Sequence, residues 1–251
     1  MVWKKIFSKE VKLKKNIIIT GGTGSIGSSL IDFLIDKNYQ IFNFDLKSCK
    51  NEKAINFRCD LSNPNNIKSN FLKFKKKYKT IFGLINCAGF TSPRNALLYN
   101  LKKWDHTIAV NLTAPFIFTK LVANMMKSKK IKGSIVNITS ISADLPMPDS
   151  IAYNVSKAGL KNLTKSFAVD FANSGIRINN LSPGYTKSNM TKKSWSDNKR
   201  RAKIKNKTTL MRWGTPKDYN EAVYFLINNN KSGYMTGADI VIDGGWTAKG
   251  M

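Results

Sequence analysis

This chain of 251 residues has only three cysteines, one histidine and fifteen acidic residues, and each shortage excludes something. Cys49, Cys59 and Cys87 are odd in number and lack metal-ligand spacing. That argues against a disulfide scaffold or a metal site and for reduced thiols in the cytoplasm. The single histidine, His106, falls in a helical pattern and reads as an ordinary helix residue. Residues 1–15 are rich in lysine but carry no apolar signal core. No stretch approaches the ~20 apolar residues that cross a bilayer. No Gly/Ser- or Pro-rich linker, internal repeat or low-complexity block divides the sequence, so one domain over 1–251 is expected.

Acidic residues are outnumbered by 42 lysines and arginines, giving a net charge of +27. Such a charge attracts polyanions in a salt-sensitive, nonspecific way. Almost all of it is lysine spread along the chain, and no aromatic-and-basic nucleic-acid module is present, so no specific nucleic-acid partner is expected. The densest stretch is 187–207, with Lys187, Lys192, Lys193, Lys199, Arg200, Arg201, Lys203, Lys205 and Lys207 against Asp197 alone. It reads either as a solvated helix face or as a mobile lid that attracts an anionic substrate. A connection this long inside a compact domain is often a cover over a site, here spanning about 185–210.

What the chain does contain is two chemical signatures. The first is the run Asn16-Ile17-Ile18-Ile19-Thr20 followed by Gly21-Gly22-Thr23-Gly24-Ser25-Ile26-Gly27 and a helical pattern. A buried strand, a tight glycine turn and a helix N-terminus together offer free N–H groups and a positive dipole end to a pyrophosphate. Asp45 ends the next apolar run, eighteen residues beyond Gly27. An acid there hydrogen-bonds the adenosine ribose and repels a 2′-phosphate, which favours NAD(H) over NADP(H), although Lys47 stands nearby. The second signature is Tyr153-Asn154-Val155-Ser156-Lys157, thirteen positions after Ser140. Tyr and Lys four apart share a helix face, so the ammonium is expected to lower the phenol's pKa and make it a proton donor and acceptor. Ser140, from a separate strand end, can hold a carbonyl oxygen against that phenol.

Apolar runs alternate with helical patterns throughout, the signature of βαβ units and a mostly parallel, doubly wound α/β sheet of the Rossmann type. Seven strands are expected at about 16–20, 40–45, 55–58, 81–86, 133–139, 176–181 and 238–242. Helices are expected at about 25–37, 64–78, 101–128, 150–174 and 215–229.

Together these segments resemble the short-chain dehydrogenase/reductase family over essentially the whole chain. Thr20 to Gly27 is similar to its cofactor turn, with Gly21, Thr23, Gly24, Ser25, Ile26 and Gly27 as implied contacts. Asp60-Leu61 resembles the pair that meets the adenine, and Asn86-Cys87-Ala88-Gly89 the segment beside it. Pro183-Gly184 and Thr186 fall where the family holds the nicotinamide. Asn111, Ser140, Tyr153 and Lys157 match its catalytic set. The resemblance implies that Tyr153 exchanges the proton, that Lys157 also contacts the nicotinamide ribose, and that Asn111 positions a relay water. Two departures stand out: Ser25 replaces a glycine of the commoner turn, and Cys87 replaces an asparagine.

The resemblance also implies that loops carrying Ser140, Ser142, Met147, Tyr185, Met190 and Trp195 line the substrate pocket. They describe a mixed polar and apolar site suited to a sugar, polyol or short oxoacid. Trp104, Trp213 and Trp246 read as packing groups. The segments 209–214 and 243–251 resemble gluconate dehydrogenases and members found with bacterial surface-sugar and nonulosonate genes. A 3-oxoacyl-acyl-carrier-protein reductase is the alternative enzyme, and a non-catalytic NAD- or polyanion-binding protein the alternative of another class. Family members pair helices such as 101–128 and 150–174 between subunits, which implies a homotetramer, or failing that a dimer.

Overall fold

The computed structural model describes residues 15–249; the lysine-rich start and the last two residues lie outside the described residues. Among the described residues, seven strands form one sheet. They are β1 Lys15–Thr20, β2 Tyr39–Asp45, β3 Ile55–Arg58, β4 Gly83–Asn86, β5 Ser134–Ile138, β6 Arg177–Pro183 and β7 Asp239–Ile242. Their order is β3-β2-β1-β4-β5-β6-β7, and every pairing is parallel. The helices are α1 Ser25–Asp36, α2 Pro64–Lys77, α3 Leu101–Ile108, α4 Ala114–Ser128, α5 Ile151–Phe171, α6 Lys192–Ser196, α7 Asn198–Lys207, α8 Asn220–Ile227 and α9 Asn229–Ser232.

Strand alternation sorts the core into two layers. Ile17, Ile19 and Ile41 point to one face and meet Leu30, Ile31 and Leu34 of α1 with Val223 and Leu226 of α8. Ile18, Phe42, Phe44 and Ile135 point to the other, toward Phe74 of α2, Phe118 of α4 and Phe167 of α5. Both faces are covered, which is why the central strands read as continuous apolar runs. The chain order reverses between β1 and β4, whose last residues Thr20 and Asn86 are register partners. A crevice opens at the carboxyl ends of strands at such a switch point.

Three differences from the sequence expectations have local causes. The expected helix 101–128 is interrupted by a π-helical turn, Ala109–Thr113, in which the Ala114 N–H reaches Ala109 O five residues back. The whole span Leu101–Ser128 is long and apolar enough in composition to cross a membrane, contrary to expectation. Phe118, Val122 and Met126 bury it against the sheet, however, as a core helix. The expected helix 215–229 begins as a 3₁₀ turn, Pro216–Tyr219, because Asp218 turns back to accept from the Thr215 N–H at 2.6 Å.

Candidate active site

The glycine turn is pinned from the neighbouring strand. Asp45 Oδ2 accepts from Thr23 N (3.0 Å) and Thr23 Oγ1 (2.7 Å), while Asn43 Oδ1 accepts from Gly22 N at 3.0 Å. Asn43 was not singled out from the sequence. Its signal was a polar residue in the run Ile41-Phe42-Asn43-Phe44, where it is fully buried and must therefore be hydrogen-bonded. Gly21 has φ +72°, and a Cβ there would lie 2.5 Å from Ala88 Cα. A Cβ on Gly27 would lie 2.2 Å from Gly21 O, so the helix can start this close to the strand only with glycine. Gly24 caps α1 without a side chain, and the first turn carries no acid, leaving its N–H groups open to an anion.

At the other end, Ser140 follows β5, and its Oγ accepts from Ser142 N at 3.1 Å. Tyr153 and Lys157 lie one turn apart on α5. Lys157 is buried and donates from Nζ to Ile138 O at 2.7 Å. Burial depresses its pKa to about 8, against a smaller opposing effect of Cys87. The expectation that Lys157 lowers the Tyr153 pKa does not hold here. Burial raises the phenol, and only a hydrogen bond with Ser140 works the other way. The reason is geometric: Nζ is directed at the Ile138 carbonyl and stands 5.7 Å from the centre of the Tyr153 ring.

Between these ends runs a cavity of about 560 Å³. Every cofactor-contact position named from the sequence lines it except Asn86, which is buried beneath and donates to Asn137 Oδ1 at 2.8 Å. Ser140, Tyr153 and Lys157 share the wall, whereas Asn111 sits behind it in the π turn. The Asn111 amide clamps Phe90 through both main-chain groups, at 2.7 and 2.9 Å, and donates to Ser156 Oγ at 3.0 Å. Ser156, also unforeseen, donates to Tyr153 O at 2.8 Å.

The substrate assignments fare differently. Ser140 and Met190 line the cavity, but Ser142, Met147, Tyr185 and Trp195 do not. Ser142 is buried, and its hydroxyl has no partner. Tyr185 donates to Met147 Sδ at 3.1 Å and packs against Trp213 and Trp246, which are packing groups as expected. Phe90, Thr91, Val110 and His106 take their place on the wall, His106 from the helix α3 in which it was expected. Its ring meets Phe90 edge-on at 4.6 Å. Cys87 also lines the cavity, with its thiol pushed up to about 12 by burial despite Lys157 nearby.

The basic segment is not a bare loop but carries α6 and α7, with Asp197 capping α7 and Ile204 buried. Ser188, Asn189, Met190 and Thr191 at its start line the cavity, and Asn189 N donates to Ser25 Oγ at 3.3 Å. None of its lysines or arginines reaches the cavity wall.

A nicotinamide dinucleotide fits these residues: an open helix N-terminus, glycines that admit a backbone approach, an acid at the ribose position and a Ser–Tyr–Lys group share one cavity. The chain belongs to the short-chain dehydrogenase/reductase family. The family model described as enoyl-(acyl carrier protein) reductase matches residues 45–247. The chain is 30% identical to glucose 1-dehydrogenase 2 of Bacillus subtilis (strain 168) over 250 residues, covering 93% of this chain and 95% of that one. It is 31% identical over 242 residues to a 3-oxoacyl-(acyl-carrier-protein) reductase of Buchnera aphidicola subsp. Schizaphis graminum (strain Sg), covering 92% and 97%. A solved structure of 4-hydroxyisoleucine dehydrogenase complexed with NADH matches with a TM-score of 0.90 at 33% identity, covering 94% of this chain and 99% of that one. This protein is an NAD(P)-dependent oxidoreductase.

Proposed function

We propose that the protein transfers hydride between NAD(H) and a secondary alcohol or ketone, carried by a sugar, a polyol or a sugar derivative. The observation that carries this reading is one cavity with Asp45 beside the glycine turn at one end and Ser140, Tyr153 and Lys157 at the other. Asp45 Oδ2 is taken up by two hydrogen bonds from Thr23, while Oδ1 accepts only the Leu46 N–H and keeps a lone pair for a ribose hydroxyl. Its charge disfavours the 2′-phosphate of NADP.

Bound NAD⁺ supplies the hydride acceptor and NADH the donor. The chain's own residues manage the oxygen. Ser140 Oγ holds it, and Tyr153 Oη gives it a proton in reduction or takes one in oxidation. Burial raises the phenol's pKa, and a hydrogen bond with Ser140 works the other way. Lys157 fixes the end of β5 through Ile138 O and places a cation beside the phenol. Asn111 holds the Phe90 main chain and, through Ser156, the turn that bears Tyr153. The segment at about 185–210 acts as a lid, starting from Pro183-Gly184 on the cavity wall.

The sugar assignment is supported by likeness to the glucose dehydrogenase and by the mixed wall of Phe90, Thr91, His106 and Ser140. A second reading, 3-oxoacyl-acyl-carrier-protein reduction, is favoured by likeness to the Buchnera enzyme and by the basic lid. A screen separates the two: NAD⁺ reduction with D-glucose, D-gluconate, polyols, sugar phosphates and 4-hydroxyisoleucine, against 3-oxoacyl thioesters with NADH and NADPH. Turnover of thioesters alone, with NADPH, overturns the sugar reading. No turnover of any panel member supports a binding protein instead.

The same reading places the enzyme in the cytoplasm as a homotetramer, with a dimer as the alternative. Support for assembly comes from Phe116, Val155 and Val169, which are exposed on the outer faces of α4 and α5 beside a shallow groove lined by Leu112 and Leu163. Light scattering at moderate salt should give a multiple of the 28.2 kDa chain, and a monomer overturns the assignment.

A further inference from the structure

We propose that Lys161 is a positioning residue that fixes the spacing between Ser140 and Tyr153; the proposal rests on the roles assigned above to those two hydroxyls. Lys161 lies four residues after Lys157 and eight after Tyr153, on the same face of α5. Its ammonium meets two carboxylates, Asp144 Oδ2 at 2.5 Å and Asp239 Oδ2 at 2.8 Å. Each carboxylate belongs to a different piece of the active-site frame.

Asp144 ends the short 3₁₀ turn Ile141–Ala143, which starts at Ser140 and is held there by Ser142 N on Ser140 Oγ. Asp239 opens β7, and its other oxygen, Oδ1, accepts from Ser182 Oγ at 2.7 Å. Ser182 Oγ lies 2.6 Å from Thr139 Oγ1, with both hydroxyls buried. Thr139 precedes Ser140, Ser182 precedes Pro183, and all four positions except Ser182 line the cavity. One ammonium on the Tyr153 helix thus reaches the Ser140 strand end by two routes: through Asp144 after it and through Asp239, Ser182 and Thr139 before it.

The Asp239 limb does not read as surface charge: the Lys161 side chain is 22% exposed and that of Asp239 only 11%, while the Asp144 limb, 53% exposed, faces solvent. Burial works against the Lys161 charge, but the hydrogen bond it donates to Asp144 and its pairing with Asp239 outweigh that and raise the pKa, so the clamp stays charged. The Lys161 carbonyl also accepts from Asn180 Nδ2 at 3.3 Å, tying the same turn of α5 to β6. The catalytic mechanism uses none of these groups. A helix and a strand end that must present two hydroxyls to one oxygen gain from a cross-tie, since small misplacements of reacting groups are costly to turnover.

The test is a double-mutant cycle together with a structure. Lys161→Met should lower kcat by about ten- to a hundredfold on the fastest member of the screen above, while KM and NADH affinity stay within roughly threefold. Lys161→Arg, which can span both carboxylates, should recover most of that loss, and it covers the case in which the methionine variant does not fold. Against Ser140→Ala, Lys161→Met should cost less than about twofold more, because the group it positions is gone. Full additivity in that background overturns the proposal and leaves the hydride-transfer reading standing. An unaffected Ser140→Ala enzyme overturns that reading, and the proposal with it. A crystal structure of Lys161→Met supplies the readout independent of turnover. A displaced 139–144 segment relative to α5 is expected, and an unchanged one overturns the proposal.

Discussion

At the cofactor end of the cavity the wall is mostly main chain, held by side chains that reach over from β2. Asp45 and Asn43 fix the turn, and glycines leave the room. At the substrate end the wall is side chains: Phe90 and Thr91 after β4, His106 and Val110 on the interrupted helix, Met190 on the basic segment. The first end suits a dinucleotide, because backbone geometry and a turn motif leave little to vary. The second can be re-specified by changing a few residues far apart in sequence. On the proposed function, generic cofactor recognition and individual substrate choice occupy separate regions of one cavity.

The sharpest way to break that division is at the group that serves both ends. Tyr153→Phe removes the proton-transfer hydroxyl but keeps the ring, so kcat should fall by at least ~10². Fluorescence titration should still find NADH affinity within a few-fold. A variant with most of its turnover would remove Tyr153 from the chemistry.

Next in size is the cofactor end alone. Asp45→Ser should lower the ratio of kcat/KM for NAD⁺ over NADP⁺ by roughly tenfold or more. It should also loosen the turn, since Thr23 loses both of its bonds to the carboxylate. A wild type that prefers NADP(H) would defeat the assignment.

A smaller effect concerns stability. Lys157 has a folded-state pKa of about 8 against an ordinary value of 10.5. Between those values the unfolded chain holds more protons than the folded one, so stability rises with pH in that window. Lys157→Met has no such proton to lose. The stability of wild type relative to Lys157→Met should therefore increase from pH 8 toward 10.5, read by urea unfolding at fixed protein concentration. A flat difference would place the charge in contact with water.

The smallest effect is expected at the lid. Because its cations do not reach the wall, they can act on a charged substrate only at a distance. Neutralising Arg200, Arg201 and Lys203 together should raise KM for an anionic substrate about two- to fivefold at low salt, and hardly at all at high salt. Steady-state kinetics at two ionic strengths decide this, and an unchanged KM leaves the segment as solvated surface.

Much of the cofactor end was legible because its information is local. The glycine spacing, the strand before it and Asp45 lie within thirty residues of one another. The pairing of Tyr153 with Lys157 was legible for the same reason, since it is one helical turn. Their electrostatics were not, because Ile138 O competes for the ammonium and belongs to another element. The substrate end was misread where loops were assigned by likeness alone: Tyr185 turned to the packing of Trp213 and Trp246, and Ser142 turned inward. That His106 would share the wall was not legible, because its direction depends on the π turn that follows it.

That irregular turn has an arithmetic of its own. A π turn holds one residue more than the α-helix around it, so α3 is rotated by about 100° from where an uninterrupted helix would carry it. The wall residues His106 and Val110 and the clamp residue Asn111 owe their directions to how that single surplus position is wound. Removing one residue from 109–113 would give a smoother helix. His106 would stay on the cavity wall, because five residues of π turn wind about as far round the axis as four of α-helix; the swing comes instead if all five residues are kept and wound as α-helix. The wall of the pocket is therefore a matter of winding as well as of composition: in this helix the way the residues are wound, not only their letters, sets what faces the substrate.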